Sequence, residues 1–459
     1  EFFDEYKKVF GQFNDYAYSN FKNLPPFRQK SIEDKGKFIR DFNKKLLGRI
    51  VFLYFLQKKR WIGSPIDEKE LKNGDVKYLS NWFDKYVKEN KNFYTDFLEI
   101  LFYQILNKPR NNDEFELTNS KIPFLNGGLF ELEKDEEMGI LNYPNELFLN
   151  VFDSFNKYNF TINEDSVEEQ EVAIDPEMLG HIFENLLEDN KEKGTFYTPK
   201  VIVKYMCQEA LIKYLKSHLG ERPELEELVQ HGKKGDDTKN NFIFQKAKDI
   251  EKLLDNIKIL DPAIGSGAFP MGLLHEILNI KIALDWTLNI ADAKKNIIKN
   301  SIYGVDIEKG AIDIAMLRFW LSLIVDEERP LPLPNLEFNF VCANSLMSLK
   351  EKKAVRDSKQ FTLDEDSILI EQLKDLRDKH FEAFGSKKIQ IEKEFEQIQK
   401  QMFQKAVFSK QFDSKMLDLS DWKPFTGESC NWFNSDWMFG IEKFDIVIAN
   451  PPYVFARDS

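Results

Sequence analysis

Two textures of apolar patterning divide the chain. Over residues 1–160 apolar positions return at helical spacing, as in Phe38, Phe42, Leu46, Ile50 and Leu53, with lysines and arginines filling the other face. Loop punctuation falls at Leu24-Pro25-Pro26, Gly63-Ser64-Pro65 and Asn126-Gly127-Gly128. Another helical stripe follows Asp175-Pro176, formed by Met178, Leu179, Ile182, Phe183, Leu186 and Leu187. After Gly194-Thr195-Phe196-Tyr197-Thr198-Pro199, Thr198 suits an N-cap and Pro199 a first helical residue, with an amphipathic helix running on from Val201. The run from His231 to Asn241 has no apolar residue and two glycines, which reads as an exposed loop.

Beyond that loop the texture changes. Ile257–Leu260, Ser301–Val305, Phe338–Ala343 and Phe444–Ala449 are short runs rich in Ile, Val and Phe, separated by helical stretches. Such alternation predicts an α/β fold with a parallel sheet. Residues 351–440 form a long spacer between the third and fourth runs. It carries one stripe at Leu369, Leu373 and Leu376 and another at Ile391, Phe395, Ile398 and Met402, with a break at Gly385-Ser386. We read it as a helical hairpin inserted into the sheet topology. The predicted organisation is a helical domain over 1–160 and an α/β domain over 161–459, interrupted at about 351–440.

Composition narrows the class. The 459 residues are 42% apolar and 31% charged, a globular balance. The longest strongly apolar stretch, Ile50 to Leu56, falls far short of the roughly 18 residues of a membrane span. No signal-peptide pattern is present, so the expectation is a cytoplasmic protein. Cys207, Cys342 and Cys430 lie far apart, and no two of the five histidines form an H-x-x-x-H pair, so neither a disulfide framework nor a zinc site is indicated. Net charge is −13, yet residues 1–60 hold fourteen Lys/Arg against seven Asp/Glu. A basic lobe can grip phosphates whatever the total charge. The chain opens at Glu1 and stops six residues after Tyr453, which suggests part of a larger polypeptide.

Chemistry concentrates at three strand ends. Asp261-Pro262-Ala263-Ile264-Gly265-Ser266-Gly267-Ala268-Phe269 follows the first run and precedes a helix. Its glycines permit a sharp turn and close approach of a ligand, and the helix end offers free N–H groups. Pro270 stands where a dinucleotide fingerprint needs Gly or Ala, and no Gly-Lys-Ser/Thr follows to make a phosphate loop. Asp261 would repel phosphate but suits an ammonium group, so a zwitterionic amino-acid moiety such as that of S-adenosylmethionine fits. At the second run, Tyr303-Gly304-Val305-Asp306-Ile307 ends in an acid placed to accept hydrogen bonds from ribose hydroxyls or, alternatively, to cap the next helix. The 45 residues between Asp261 and Asp306 call for a long or doubled helix. The last run reads as a buried strand ending in Asn450-Pro451-Pro452-Tyr453. An exocyclic amine conjugated with a purine ring is a poor nucleophile. If the Asn450 side-chain oxygen and the Pro451 carbonyl each accept one of its N–H bonds, the nitrogen lone pair is drawn out of conjugation. Two prolines hold those carbonyls in place, and Tyr453 can stack on a planar base.

Together with Asn344-Ser345-Leu346, these segments resemble motifs I to IV of gamma-class DNA adenine-N6 methyltransferases, and Thr195–Pro199 resembles the preceding motif X. Leu46–Gly63, Ile122–Phe130 and Ile174–Glu188 are similar to the helical part of type IIG restriction–modification enzymes and BREX phage-defence methyltransferases. The resemblance implies a Rossmann-like class I methyltransferase domain, incomplete at its carboxyl terminus, preceded by a mainly helical domain. It also implies S-adenosylmethionine as cofactor and double-stranded DNA with a flipped adenine as partner. On that basis Asp261, Gly265 and Gly267, with Pro262 and Ala263, take the methionine end of the cofactor, and Asp306 and Ile307 the ribose. Asn344 and Ser345 take its adenine, and Thr195, Phe196, Tyr197, Thr198 and Pro199 cover it. Asn450, Pro451, Pro452 and Tyr453 are then the catalytic set. Two other readings stay open, a methyltransferase acting on a protein glutamine amide and a fragment that binds cofactor or DNA without turnover.

Overall fold

The computed structural model describes residues 2–22, 24, 31–126, 128–132, 141–160, 173–174, 198–234, 241–348, 360–408, 419–420 and 422–451. The stripe over 178–187, the Leu24-Pro25-Pro26 turn apart from Leu24, and most of the 231–241 loop lie outside them. The chain divides into two compact units, one of Glu1–Leu186, Met316–Asn335 and Glu382–Lys388, the other of Leu187–Ala315, Leu336–Phe381 and Ile389–Ser459.

The first unit is built on helices α1 (Phe2–Phe21), α2 (Ile32–Lys58), α3 (Tyr78–Lys88) and α4 (Asn145–Phe155). Ser31 caps α2 by accepting the Asp34 N–H, and Glu33 and Asp34 face the positive end of its dipole. The sequence predicts a one-sided helix here, but every residue of α2 from Leu46 to Gln57 is buried. Arg49 is fully buried because its guanidinium is satisfied on three sides. Nε donates to the Leu129 carbonyl (2.6 Å), Nη1 to the Tyr103 hydroxyl (2.9 Å) and Nη2 to the Glu131 carbonyl (3.0 Å). Aromatic side chains fill much of the remaining core. Phe13 meets Phe148 edge-on at 5.4 Å and Phe93 stacks on Phe97 at 5.1 Å, each such pair worth about 0.5–1.5 kcal/mol beyond its buried area.

The second unit is α/β. Its four strands are β1 (Ile259–Asp261), β2 (Ile302–Asp306), β3 (Phe340–Cys342) and β4 (Ile446–Val447), in spatial order β3-β2-β1-β4. Every pairing is parallel, with Asp261 opposite Gly304, Asp306 opposite Cys342, and Leu260 opposite Val447. All four predicted runs are therefore strands. The interval between β1 and β2 is a doubled helix, α8 (Ala268–Leu284) and α9 (Ile290–Ser301), after α5 (Lys200–Leu219), α6 (Pro223–His231) and α7 (Phe242–Asn256). Helix α10 (Lys309–Asp326) follows β2. Helices α11 (Gln360–His380) and α12 (Gly385–Phe408) occupy the spacer, with Leu369, Leu373, Leu376, Ile391, Phe395 and Met402 buried as predicted and Ile398 half-buried.

One strand differs from expectation. β4 reads as a buried strand, yet Val447 is 62% exposed between Ile446 at 7% and Ile448 at 6%. Among the described residues it ends the strand order, and Ile446 and Ile448 share the packed face while Val447 points to the other. Its position is nonetheless tightly held. The Asp445 N–H donates to the Lys258 carbonyl, the Lys258 N–H to Asp445 Oδ2 (2.8 Å), and the Ile448 N–H to the Leu260 carbonyl (3.0 Å). Phe439 lies 5.2 Å from Tyr303 on β2 and 6.3 Å from Phe444, which ties the approach to β4 onto the sheet.

Candidate active site

Because all four strands run the same way, their carboxyl ends share one edge of the sheet. In spatial order the residues at those ends are Asn344, Asp306, Asp261 and Asn450. The chain leaves β1 toward β2 on one side, while β4 lies on the other, so the strand order reverses between Asp261 and Asn450. Open α/β sheets bind ligands at such a switch point. Neighbouring strands stand about 4.8 Å apart, which brings Asn450 one strand from Asp261 and two from Asp306.

The turn after β1 is built from its own sequence. Asp261 Oδ1 accepts the Ala263 N–H (3.0 Å), the Ile264 N–H reaches the Val305 carbonyl on β2 (2.9 Å), and the Gly267 N–H closes on the Ile264 carbonyl (2.8 Å). Gly265 and Gly267 have φ of +52° and +84°, conformations that glycine adopts without strain. A Cβ at Gly265 would meet no atom within 4 Å, so the turn stands beside open space. At Gly304 the reason for glycine is different. A Cβ there would come within 2.2 Å of Ile264 Cδ1, so the turn can settle on β2 only above a residue without a side chain.

Asp306 supports that turn directly. Its Oδ2 accepts the Gly265 N–H and its Oδ1 the Glu308 N–H, each at 2.9 Å. This one side chain therefore holds the chain just before α10 and the glycine turn together. Burial pushes the Asp306 carboxyl above the usual carboxylate range, against the lowering effect of these backbone donors. Asp261 is 1% exposed, and burial pushes it up to about 8, with the Ala263 N–H opposing and the nearby Asp306 charge reinforcing. Two carboxyls thus stand on adjacent strand ends at the sheet edge, both favoured in the neutral form.

At β3 the chain is held by a segment from far along the sequence. The Asn344 N–H donates to the Cys430 carbonyl and the Cys430 N–H to the Cys342 carbonyl, at 2.8 and 2.9 Å. Nothing in the pattern around Cys430 announces this. The Asn344 side-chain oxygen accepts the Leu346 N–H (3.1 Å), forming a local turn with Ser345 inside it. Ile307, beside Asp306, is 53% exposed.

The amino-terminal segment and the last strand also meet. Asn450 Nδ2 donates to Thr198 Oγ1 at 3.0 Å. Thr198 does not cap α5, contrary to expectation. Pro199, whose side chain has no acceptor, occupies the cap position, and the Thr198 hydroxyl one residue earlier is bonded by Asn450. Asn450 and Pro451 are exposed, and Thr198 is buried. The structure therefore gathers Asp261, Pro262, Ala263, Gly265, Gly267, Asp306, Ile307, Asn344 and Ser345 at one edge, with Asn450, Pro451, Thr198 and Pro199 beside them. Thr195, Phe196, Tyr197, Pro452 and Tyr453 lie outside the described residues. Among the described residues no group of three or more His, Cys, Asp or Glu is placed to hold a metal ion, and no helix is long and apolar enough to cross a membrane.

A parallel sheet with polar strand ends gathered at its switch point defines an α/β ligand-binding class. Residues 300–459, which carry Asp306, Asn344 and Asn450, match the Eco57I restriction-modification methylase family, so the resemblance to restriction–modification methyltransferases holds there. A protein of Methanocaldococcus jannaschii that carries the name of a type II restriction enzyme and methyltransferase is 32% identical over 335 residues, covering 66% of this chain. The chain spans only 27% of the length of that relative. A structure of the type IIL restriction-modification enzyme MmeI in complex with DNA aligns with a TM-score of 0.45 and 17% identity, over 74% of this chain and 40% of that one.

Proposed function

We propose that this chain is the methyltransferase part of a restriction–modification protein of the bacterial or archaeal cytoplasm. In this reading it transfers a methyl group from S-adenosylmethionine to the N6 amine of an adenine flipped out of double-stranded DNA. The observation that carries the proposal is the meeting of Asp261, Asp306 and Asn450 at the switch point of a Rossmann-like sheet.

The residues present fit the cofactor. Gly265 borders open space, and Asp261 is a buried carboxyl that only a cation would hold ionised at neutral pH. Asp261 would take the ammonium end, Asp306 the ribose hydroxyls through the remaining lone pairs of its oxygens, and Asn344 with Ser345 the adenine. When bound, S-adenosylmethionine supplies an electrophilic methyl group. The work of this chain is placement. Asn450 Oδ1 and the Pro451 carbonyl accept the two amine hydrogens and free the nitrogen lone pair. Pro452 keeps the backbone from turning, and Tyr453 stacks on the base. Holding both reactants in line accounts for rate enhancement of this kind. Since an adenine inside a duplex cannot reach a strand end, the base must be extruded, and the lysines and arginines of residues 1–60 offer contacts for the backbone phosphates.

The test uses full-length protein, unmethylated bacteriophage DNA and tritiated S-adenosylmethionine. Wild type should label the DNA. Asn450→Ala should lose transfer while keeping cofactor affinity, and a variant that labels DNA at the wild-type rate refutes the role given to Asn450.

A further inference from the structure

We infer that Thr198 is a positioning residue for the reaction, one that holds the Asn450 amide in the orientation that presents its oxygen to the target amine. The inference rests on the proposed function and gives Thr198 a task different from covering the cofactor.

An asparagine side chain ends in a donor branch and an acceptor branch of nearly the same shape, so only its partners decide which branch faces a substrate. Asn450 has little else to hold it. It is exposed, it lies beyond the last residue of β4, and the two residues after it are prolines without N–H groups to pin the chain. Its Nδ2 donates to Thr198 Oγ1 at 3.0 Å across 252 residues of sequence. With the nitrogen branch directed there, Oδ1 is the branch left to receive an N–H. Donation through Nδ2 also polarises the amide and makes Oδ1 a better acceptor.

A hydroxyl can accept from Nδ2 or donate to Oδ1, and the bond formed here is acceptance from Nδ2. Thr198 is 8% exposed, and its position just before α5 is fixed by the Ile202 and Val203 N–H groups, which bond the Pro199 carbonyl at 2.9 and 3.0 Å. Its side chain does no capping, since α5 begins at Pro199 without a side-chain bond. A buried threonine on a fixed backbone, released from capping and bonded to the residue that receives the target amine, fixes the plane of that amide. Valine has the same shape and cannot accept the bond. Serine can.

The experiment compares Thr198→Val and Thr198→Ser with wild type in the full-length protein, with kcat and KM measured on unmethylated bacteriophage DNA and cofactor affinity by calorimetry. Loss of orientation at a reacting centre costs on the order of ten- to a hundredfold. Thr198→Val should lower kcat by that factor and leave the Kd for S-adenosylmethionine and the KM for DNA within about twofold, and Thr198→Ser should recover most of kcat. An unchanged kcat in Thr198→Val, or a weakened cofactor affinity with kcat intact at saturation, overturns the inference. A wild-type protein that does not bind S-adenosylmethionine defeats the proposed function instead. In that case the crystal structure of Thr198→Val still decides this point: an Asn450 amide plane unchanged from wild type overturns it, and a rotated one upholds it.

Discussion

Binding of S-adenosylmethionine should be coupled to loss of a proton from Asp261. The carboxyl is buried, accepts one backbone N–H and neighbours Asp306, and together these push it up to about 8. Its value in the fold stands above the ordinary carboxylate value, so the fold favours the neutral acid. That contribution to stability is fully present below about pH 4 and is lost as pH rises through about 8. A cationic ligand reverses the preference, because it pairs with the ionised form. At pH 7, about one pH unit below the midpoint, only about one carboxyl in ten is ionised before binding. Binding should then release on the order of 0.8 to 0.9 proton, and affinity should rise nearly tenfold per pH unit between about 6 and 7. Above about pH 8 the ligand's own α-amine loses its charge and the rise should end. Calorimetry in phosphate and in Tris, whose ionisation enthalpies differ, reads the released proton directly. Asp261→Asn keeps an oxygen for the Ala263 N–H but carries no charge. It should release no proton and bind about ten- to a hundredfold more weakly at pH 8, the size of one hydrogen bond to a charged group. Wild-type binding without proton release, at an affinity flat from pH 6 to 7.5, would refute the role given to this carboxyl.

Two stability predictions come from the packing. Gly304→Ala places a Cβ within 2.2 Å of Ile264 Cδ1 and 3.1 Å of its Cβ and Cγ1, so the Ile264 side chain has to change rotamer and the turn to shift by a few tenths of an ångström. A loss of about 1–3 kcal/mol is expected in urea unfolding, and a change under about 0.5 kcal/mol would show that the contact yields easily. Arg49→Met removes the donor to the Leu129 and Glu131 carbonyls and the Tyr103 hydroxyl. It should cost at least about 3 kcal/mol, and near-neutral unfolding would mean that those acceptors find other partners.

Much of the sheet was legible because its information is local. Runs such as Ile302–Asp306 sit between helical stretches, and burial of both faces of a strand demands apolar residues at consecutive positions. The glycine turn was legible for the same reason, since positive φ at Gly265 and Gly267 is a demand on single residues. What escaped depends on distant partners. Val447 looks like a core residue, yet it lies on the face of β4 opposite the buried Ile446 and Ile448 and is exposed. Arg49 looks like the polar face of a helix and is buried because carbonyls 80 or so residues later receive it. Thr198 looks like a cap, and what claims it is an asparagine 252 residues away. The chain segment around Cys430 that holds Asn344 carries no local mark at all.

The identity of the methylated atom tests the central claim most directly. Full-length protein is incubated with unmethylated bacteriophage DNA and S-adenosylmethionine, the DNA is digested to nucleosides, and these are resolved by mass spectrometry. N6-methyladenine should accumulate with time and be absent when Asn450→Ala replaces wild type. Methyl groups found only on another base, or only on a glutamine side chain of added protein, would mean that the Asn450 end of the sheet receives a different amine.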